Sequence, residues 1–289
     1  MKAIFLIIAM VLPAGLAGRA DPLTQSTFTE IINDVGTVSV AGNTTPASVN
    51  EVVKAPERVR TGPQSRAELV APDQTITRVG ANTIFSFADN GRTLNLEQGN
   101  VLFHPPKGLG GGTIQSGGAA AAVLGTTIIV SATPSGGFKV ILLEGSGAVT
   151  LPNGTSATLN AGQLVFVLPG GTLSPVLNIN LGRLVADSLL VNGFPDKLSS
   201  LTLIKEAIRA QNRLLKSGKA VDTGRPVDAY WYPPGNGLDT IDHGTYQVGV
   251  PTPTAPPQQT FSSTGVQTAG TGPGARGFEP VTSTTPTAR

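Results

Sequence analysis

AAAAVLGTTIIVSATPSGGFKVILLEGSGAVTLPNGTSATLNAGQLVFVLPGG, residues 119–171, alternates short β-branched runs with turn signals at nearly regular intervals. Thr126-Thr127-Ile128-Ile129-Val130 and Phe138-Lys139-Val140-Ile141-Leu142 flank Pro134-Ser135-Gly136-Gly137. Ala148-Val149-Thr150-Leu151 is joined to Ser156-Ala157-Thr158-Leu159 through Asn153-Gly154. That dipeptide predicts a type I′ hairpin turn, which needs positive φ at both central residues. The stretch places the chain in the mainly β class.

Working outward, the period of two is clean upstream. Ile84 and Ser86 alternate with Phe85 and Phe87, and Leu94 and Leu96 with Thr93 and Asn95, so each strand offers one face to a core. Asp89-Asn90-Gly91 closes the hairpin between them, and Pro105-Pro106 stops the run Asn100 to His104. From Val38 to Leu168 the spacing predicts about a dozen short strands in a compact β-roll or solenoid-like sandwich. Downstream the period changes. Leu181, Leu184, Val185 and Leu189 mark a short helix ended by Gly193-Phe194-Pro195. Leu201, Ile204, Ile208 and Leu215 form one stripe of a longer helix running to Gly218. Leu203, Ala207, Ala210 and Leu214 form an adjacent stripe, with Lys205, Glu206, Arg209 and Arg213 left for water. The pair is expected to dock on the β domain or each helix on the other; a free amphipathic helix for another protein or a membrane surface is the alternative. The expected organisation is a signal peptide over 1–20, a β domain over 21–171, an amphipathic helix pair over 172–218 and a disordered tail over 219–289. The Pro, Thr and Gly content of that tail buries too little to offset its ordering entropy.

A series of short words carries a resemblance. Val59-Arg60-Thr61-Gly62, Ser65-Arg66-Ala67-Glu68-Leu69, Arg78-Val79-Gly80-Ala81-Asn82-Thr83 and Leu96-Glu97-Gln98-Gly99 come first. Ala122-Val123-Leu124-Gly125-Thr126-Thr127, Leu143-Glu144-Gly145 and Ala161-Gly162-Gln163 follow in the same order. From Val35 to Pro169 the chain resembles the FecR domain. The resemblance implies a compact all-β fold, an exported address and kinship with a periplasmic relay of iron-transport signalling. Relays of that type carry a cytoplasmic anti-sigma helix bundle and a transmembrane helix ahead of the β domain. Here the β pattern follows a cleavable leader instead, which argues against direct contact with a cytoplasmic sigma factor.

That leader consists of Lys2, an apolar run from Ala3 to Leu12, Pro13, and small residues ending at Ala20, with cleavage expected before Asp21. The run is shorter than the roughly 20 apolar residues of a membrane span, and no Cys follows it for lipid attachment. The chain is therefore expected to be periplasmic or secreted, with no stable span once the leader is removed. Of the 20 basic side chains, Lys2 and Arg19 leave with the leader, so the rest balance the 18 acids. This gives no overall surplus for nucleic acid or an anionic membrane. With 0 Cys, stability must come from buried apolar surface.

The catalytic inventory is thin. His104 and His243 lack partners at metal-ligand spacing, and neither a Gly-x-Ser-x-Gly elbow nor a phosphate loop is present. No catalytic residue, cofactor or metal is expected. Glu68, Asp73, Asp89, Glu97 and Glu144 are the carboxylates from which a glycoside-cleaving pair would have to come. Glu144 before Gly145 reads rather as a turn cap. Arg60, Arg66 and Arg78 sit within the family-like words. They either pair with Glu68 or Asp73 on the surface or rim a groove for an acidic ligand such as an envelope polysaccharide. The leading expectation is a non-enzymatic exported binding, scaffolding or sensory module of the cell envelope. Its expected partners are an envelope protein or polysaccharide, or a second copy through edge-strand addition. The rival is a carbohydrate-active enzyme using a carboxylate pair in the β groove.

Overall fold

A computed structural model describes residues 21–168 and 171–219, and the backbone of 221–226 and 246–249. In chain order the first strands are β1 (Gln25–Ile32), β2 (Val35–Val38), β3 (Thr44–Pro46), β4 (Val52–Lys54) and β5 (Arg58–Thr61). They continue through β6 (Arg66–Val70), β7 (Ile76–Val79), β8 (Ile84–Phe87) and the long β9 (Thr93–His104). The stretch that opened the reading forms β11 (Ala119–Val123), preceded by β10 (Gly112–Ser116) and followed by β12 (Thr127–Ala132), β13 (Phe138–Glu144), β14 (Ser146–Thr150), β15 (Ser156–Asn160) and β16 (Gln163–Leu168). Two short strands, β17 (Thr172–Leu173) and β18 (Leu177–Asn178), lead into α1 (Leu181–Asp187), α2 (Leu189–Asn192) and α3 (Leu201–Lys216).

The class is mainly β as expected, and 18 strands join in all, against about a dozen expected between Val38 and Leu168. The surplus comes from pairings such as β3, β4, β17 and β18, which are too short to carry a period of two. The strands form two sheets. Sheet B runs β3-β2-β5-β8-β9-β10-β11-β14-β15, with β9 and β10 parallel. Sheet A runs β4-β1-β6-β7-β9-β12-β13-β16, with β17 and β18 both beyond β16. β9 belongs to both. It pairs with β8 and β10 over its first half, turns at Gly99 (φ 92°), and pairs with β7 and β12 over its second. A Cβ at position 99 would lie 2.2 Å from Thr83 Oγ1, so only glycine lets the strand cross from one sheet to the other.

The core between the sheets holds Phe28, Leu69, Val101, Phe103 and Val130 of sheet A against Val59, Phe85, Leu94, Leu96 and Leu159 of sheet B. Alternate residues of sheet A point the other way. Leu102, Ile129, Ile141, Leu143, Leu164 and Phe166 make a second core with Leu181, Leu184, Leu190 and Ile204 of the helices. Apolar side chains on both faces explain why β12, β13 and β16 read as nearly continuous apolar runs. The helical segment docks on the β domain as expected, giving three layers: sheet B, sheet A, helices. The first helix is broken at Ser188 (ψ 115°) into α1 and α2, so there are three helical pieces in place of two. α3 closes in a Schellman arrangement, with Lys219 N–H on Leu214 O and Gly218 N–H (φ 70°) on Leu215 O.

The Asn153-Gly154 turn differs from type I′. Gly154 alone has positive φ (83°), while Leu151 N–H bonds Thr155 O and Gly154 N–H bonds Leu151 O. Pro152 fixes a negative φ at the first loop position, so the chain makes a three-residue loop with its left-handed residue last. Pro134-Ser135-Gly136 and Pro72-Asp73-Gln74 close their hairpins with the same bonding, and Gln74 takes φ 68°. Beyond α3, β19 (Val221–Pro226) and β20 (Tyr246–Gly249) pair antiparallel, inside the region expected to be a structureless tail. The leader, His243 and the rest of the tail lie outside the described residues. No helix among the described residues is long and apolar enough to cross a membrane.

Candidate functional site

Register places the chemistry-bearing residues of the first half on the helix-facing side of sheet A. Glu68, Arg78, Leu102, Ile129, Ile141 and Leu164 line up across six strands, and the first two put a charge pair beneath the helices. Arg78 has 0% exposure. Its Nε donates to Glu68 Oε2 at 2.7 Å, Nη1 donates to Leu190 O and to Val191 O (2.9 Å), Nη2 donates to Asp196 O, and the guanidinium lies 4.4 Å from the Phe194 ring centroid. A buried cation needs such a set of acceptors to offset lost hydration, and the α2 end supplies carbonyls that have no partner within their own helix. The expected surface pairing with Glu68 is therefore real but buried.

The groove rimmed by Arg60, Arg66 and Arg78 is not assembled. Arg60 lies on the outer face of sheet B, where its Nη2 meets Asp34 at 3.0 Å, while Arg66 and Arg78 belong to sheet A. Arg66 is half-buried against Gly193, with Nε lacking a hydrogen-bond partner. Asp73 does have an arginine partner, but it is Arg92, at 2.6 Å. Arg92 also donates to Gly111 O, Asp21 O and Thr75 Oγ1, tying the segment before β1 to two loops. Its sequence neighbours Gly91 and Thr93 read as an ordinary turn, so nothing local marked it.

A second polar cluster occupies the end of β9. Thr127 Oγ1 lies 3.0 Å from Glu144 Oε1, 3.0 Å from His104 Nδ1 and 2.8 Å from Ser200 Oγ. One hydroxyl has one hydrogen and two acceptor sites. Thr127 Oγ1 can give that hydrogen to Glu144 Oε1 or to Ser200 Oγ, and its lone pairs can accept from His104 Nδ1–H. Ser200 is the N-cap of α3 but makes no cap bond, its hydroxyl being turned to the sheet. Burial pushes the Glu144 carboxyl above its usual range, against the lowering by the Thr127 bonds and Lys107; burial and the nearby Lys107 cation hold His104 below its usual value. All four side chains of the cluster are buried, so it joins layers and offers no open nucleophile. Glu144, expected to cap the turn at Gly145, instead accepts from the Thr127 hydroxyl on the neighbouring strand β12.

What faces solvent is the outer side of sheet B. Thr93, Thr113, Ala122, Ala148 and Thr158 form one transverse row, and Asn95, Gln115, Ala120, Thr150 and Ser156 the next. A shallow cavity of about 490 Å³ opens over the first row beside Arg92 and Leu124; another of about 470 Å³ lies over Asn95, Glu97 and Gln115. The rows carry hydroxyls and amides at the strand spacing, without aromatic rings or charge. Glu97 is the single carboxylate in either cavity and sits 3.6 Å from Arg58. A facing pair of carboxylates is thus absent from both. Among the described residues no cluster of His, Asp and Glu could hold a metal ion.

Residues 57–146 match the family model of the FecR protein. The chain carries a FecR domain. The match is shorter than the Val35 to Pro169 span of the resemblance, and it contains Glu68, Arg78, His104, Thr127 and Glu144. Their partners Leu190, Val191, Asp196 and Ser200 follow it, so the helical layer is fastened to the FecR domain through polar groups of the domain itself. Two crystal structures of a protein from Parabacteroides distasonis, provisionally described as an anti-sigma factor, are similar to this chain at 18% identity, with TM-scores of 0.40 and 0.39. Each likeness covers 45% of this chain and 63% or 62% of the other, so the chain spans less than two thirds of those relatives. A search of curated proteins finds none that matches.

Proposed function

We propose that this chain is a non-enzymatic, exported module of the bacterial cell envelope with a binding, scaffolding or sensory role in signalling, and that the outer face of sheet B is its recognition surface. The FecR domain match supports a regulatory role in signalling. The single observation that carries the choice of surface is the three-layer arrangement: the outer face of sheet A is covered by helices through Arg78 and Thr127, while the hydroxyl and amide rows of sheet B are open. A flat neutral face of this kind suits a protein or neutral polymer partner, with hydrogen bonds giving register. The acidic polysaccharide expected from the three arginines has no groove to enter.

Site-specific photocrosslinking in intact cells tests this. A photoreactive residue at Thr158 or Gln115 is expected to give a discrete adduct in the envelope fraction, and one at buried Ile129 none. Absence of any adduct at both exposed sites, or recovery of the chain in the cytoplasm, would overturn the reading. Turnover of envelope polysaccharide by the purified chain would restore the enzyme alternative.

A further inference from the structure

Among the described residues each sheet of the sandwich ends in two edges, and all but one of these edges are blunted. Sheet B begins at β3, three exposed residues closing on Pro46, and sheet A begins at β4, three residues closing on Lys54 with Pro56 just behind. Beyond β16 lie β17 and β18, of two residues each. Shortness, lysine and proline are the usual means by which an edge is kept from pairing with a foreign strand. β15, at the other end of sheet B, has none of them. It is five residues long, pairs with β14 alone among the described residues, and lies within residues 145–182, a stretch without a single charged side chain.

The hydrogen-bond phase of the β14–β15 hairpin fixes which groups β15 leaves open. Leu151 N–H bonds Thr155 O at one end and Ala161 N–H bonds Gly145 O at the other, so by alternation Val149 with Ala157 and Gly147 with Leu159 are the pairs that bond across the hairpin. The main-chain N–H and C=O of Ser156, Thr158 and Asn160 therefore point away from β14. All three residues are exposed, and of these groups Asn160 N–H is already taken, by Gln163 Oε1 at 2.9 Å. We propose that β15 is the strand through which two copies of this chain pair, antiparallel, about a two-fold axis at Thr158. In that register the two Thr158 residues exchange N–H···O bonds, and each Ser156 N–H meets Asn160 O of the other copy. A two-fold contact requires a surface complementary to itself, and β15 supplies one: Thr158 faces Thr158, Ser156 faces Asn160, and no charge opposes its like. A charged partner finds nothing on this edge to steer it. Edge addition was expected from the sequence without a strand being named; the blunted edges and the bond phase name β15. The pairing carries the outer face of sheet B from one copy into the next, and it does not depend on that face being a recognition surface.

The test is sedimentation velocity of the chain from Asp21 onward, from about 5 to about 500 µM. The first residues are omitted because the apolar run Ala3 to Leu12 would associate by itself. One short strand pair is a small interface, so a monomer–dimer equilibrium is expected with a dissociation constant on the order of tens of micromolar. Thr158→Lys sets two like charges face to face at the axis and should weaken the dimer by about ten-fold or more, as should Thr158→Glu. An equal mixture of these two variants should dimerise again, because Lys then faces Glu. Gln115→Lys, exposed on the same face but inside the sheet, should leave association unchanged. Circular dichroism checks that the Thr158 variants keep their fold, the side chain being exposed. A monomer at every concentration, a dimer indifferent to Thr158→Lys, or a mixture that associates no better than either variant alone sinks the proposal. So does loss of the dimer in Gln115→Lys, which would place the contact on the face of the sheet instead of its edge.

Discussion

At Arg78 the balance between burial and bonding is set by one side chain. Its guanidinium is held by Glu68 and three backbone carbonyls, so Arg78→Met leaves a buried carboxylate and several carbonyls without partners. The expected loss is about 3–5 kcal/mol. Arg60→Met, which breaks an exposed pair with Asp34, should cost less than about 1 kcal/mol. Urea unfolding followed by far-ultraviolet circular dichroism checks both; Trp231 and all three Tyr lie after residue 219, so fluorescence would not report on these sheets. His104 supplies a pH signature. Its folded pKa is lowered, so the unfolded chain takes up the proton first and stability is lost as pH falls below about 6.5. Glu144 works in the opposite sense: its folded pKa is raised, and the stability it contributes in acid is lost as pH rises through that value. His104→Asn keeps a donor toward Thr127 without the titration. The fall in melting temperature from pH 7.5 to 5.5 should be smaller in that variant than in the parent, and an equal or larger fall would count against the assignment.

At the scale of elements, β9 is the component on which the sandwich depends. Gly99→Ala combines an unfavourable φ with an overlap on the Thr83 backbone, 2.4 Å from its Cα, and should cost more than about 2 kcal/mol. Gly91→Ala, also at positive φ but with open space around it, should cost about 1 kcal/mol. Thermal melts of the two variants separate the effects. Nothing in Glu97-Gln98-Gly99-Asn100 distinguishes a sheet-crossing bend from a hairpin turn, because the local preference of glycine is the same in both. Hairpin positions were more legible. Pro and Gly marked the loops at 134–136 and 152–154, although the turn type at Asn153-Gly154 was decided by Pro152, whose ring excludes positive φ.

For the molecule as a whole, the helical layer is a structural wall on one side and a surface on the other. Ile204→Ala opens a cavity in the second core, where Ile204 has 0% exposure, and should destabilise by about 2–5 kcal/mol. Leu214→Ala, on the same helix but 48% exposed, should change stability by less than about 1 kcal/mol. Urea titrations of the pair measure how far α3 is part of the fold. Losing residues after 171 would uncover Leu102, Ile129, Ile141 and Phe166 together with the Arg78 charge, so the β domain and helices are expected to unfold together.

What the sequence determined by itself was whatever depends on neighbours a few residues apart: the mainly β class, most strand positions, the helices at 181 and 201, and the words that mark the FecR domain. Period and turn chemistry are local, and they survive any global arrangement. Which side chains meet was decided by tertiary structure alone. Arg78 looked like a surface cation because its carbonyl acceptors lie more than 110 residues downstream. Glu144, His104, Thr127 and Ser200 come together from four separate elements. Both apolar stripes of α3 were visible, but that Ile204 would be the residue buried against sheet A was decided by the fold. Contacts of this range depend on sheet order and layer stacking, and those follow from the packing of the whole chain rather than from the preferences of any short segment.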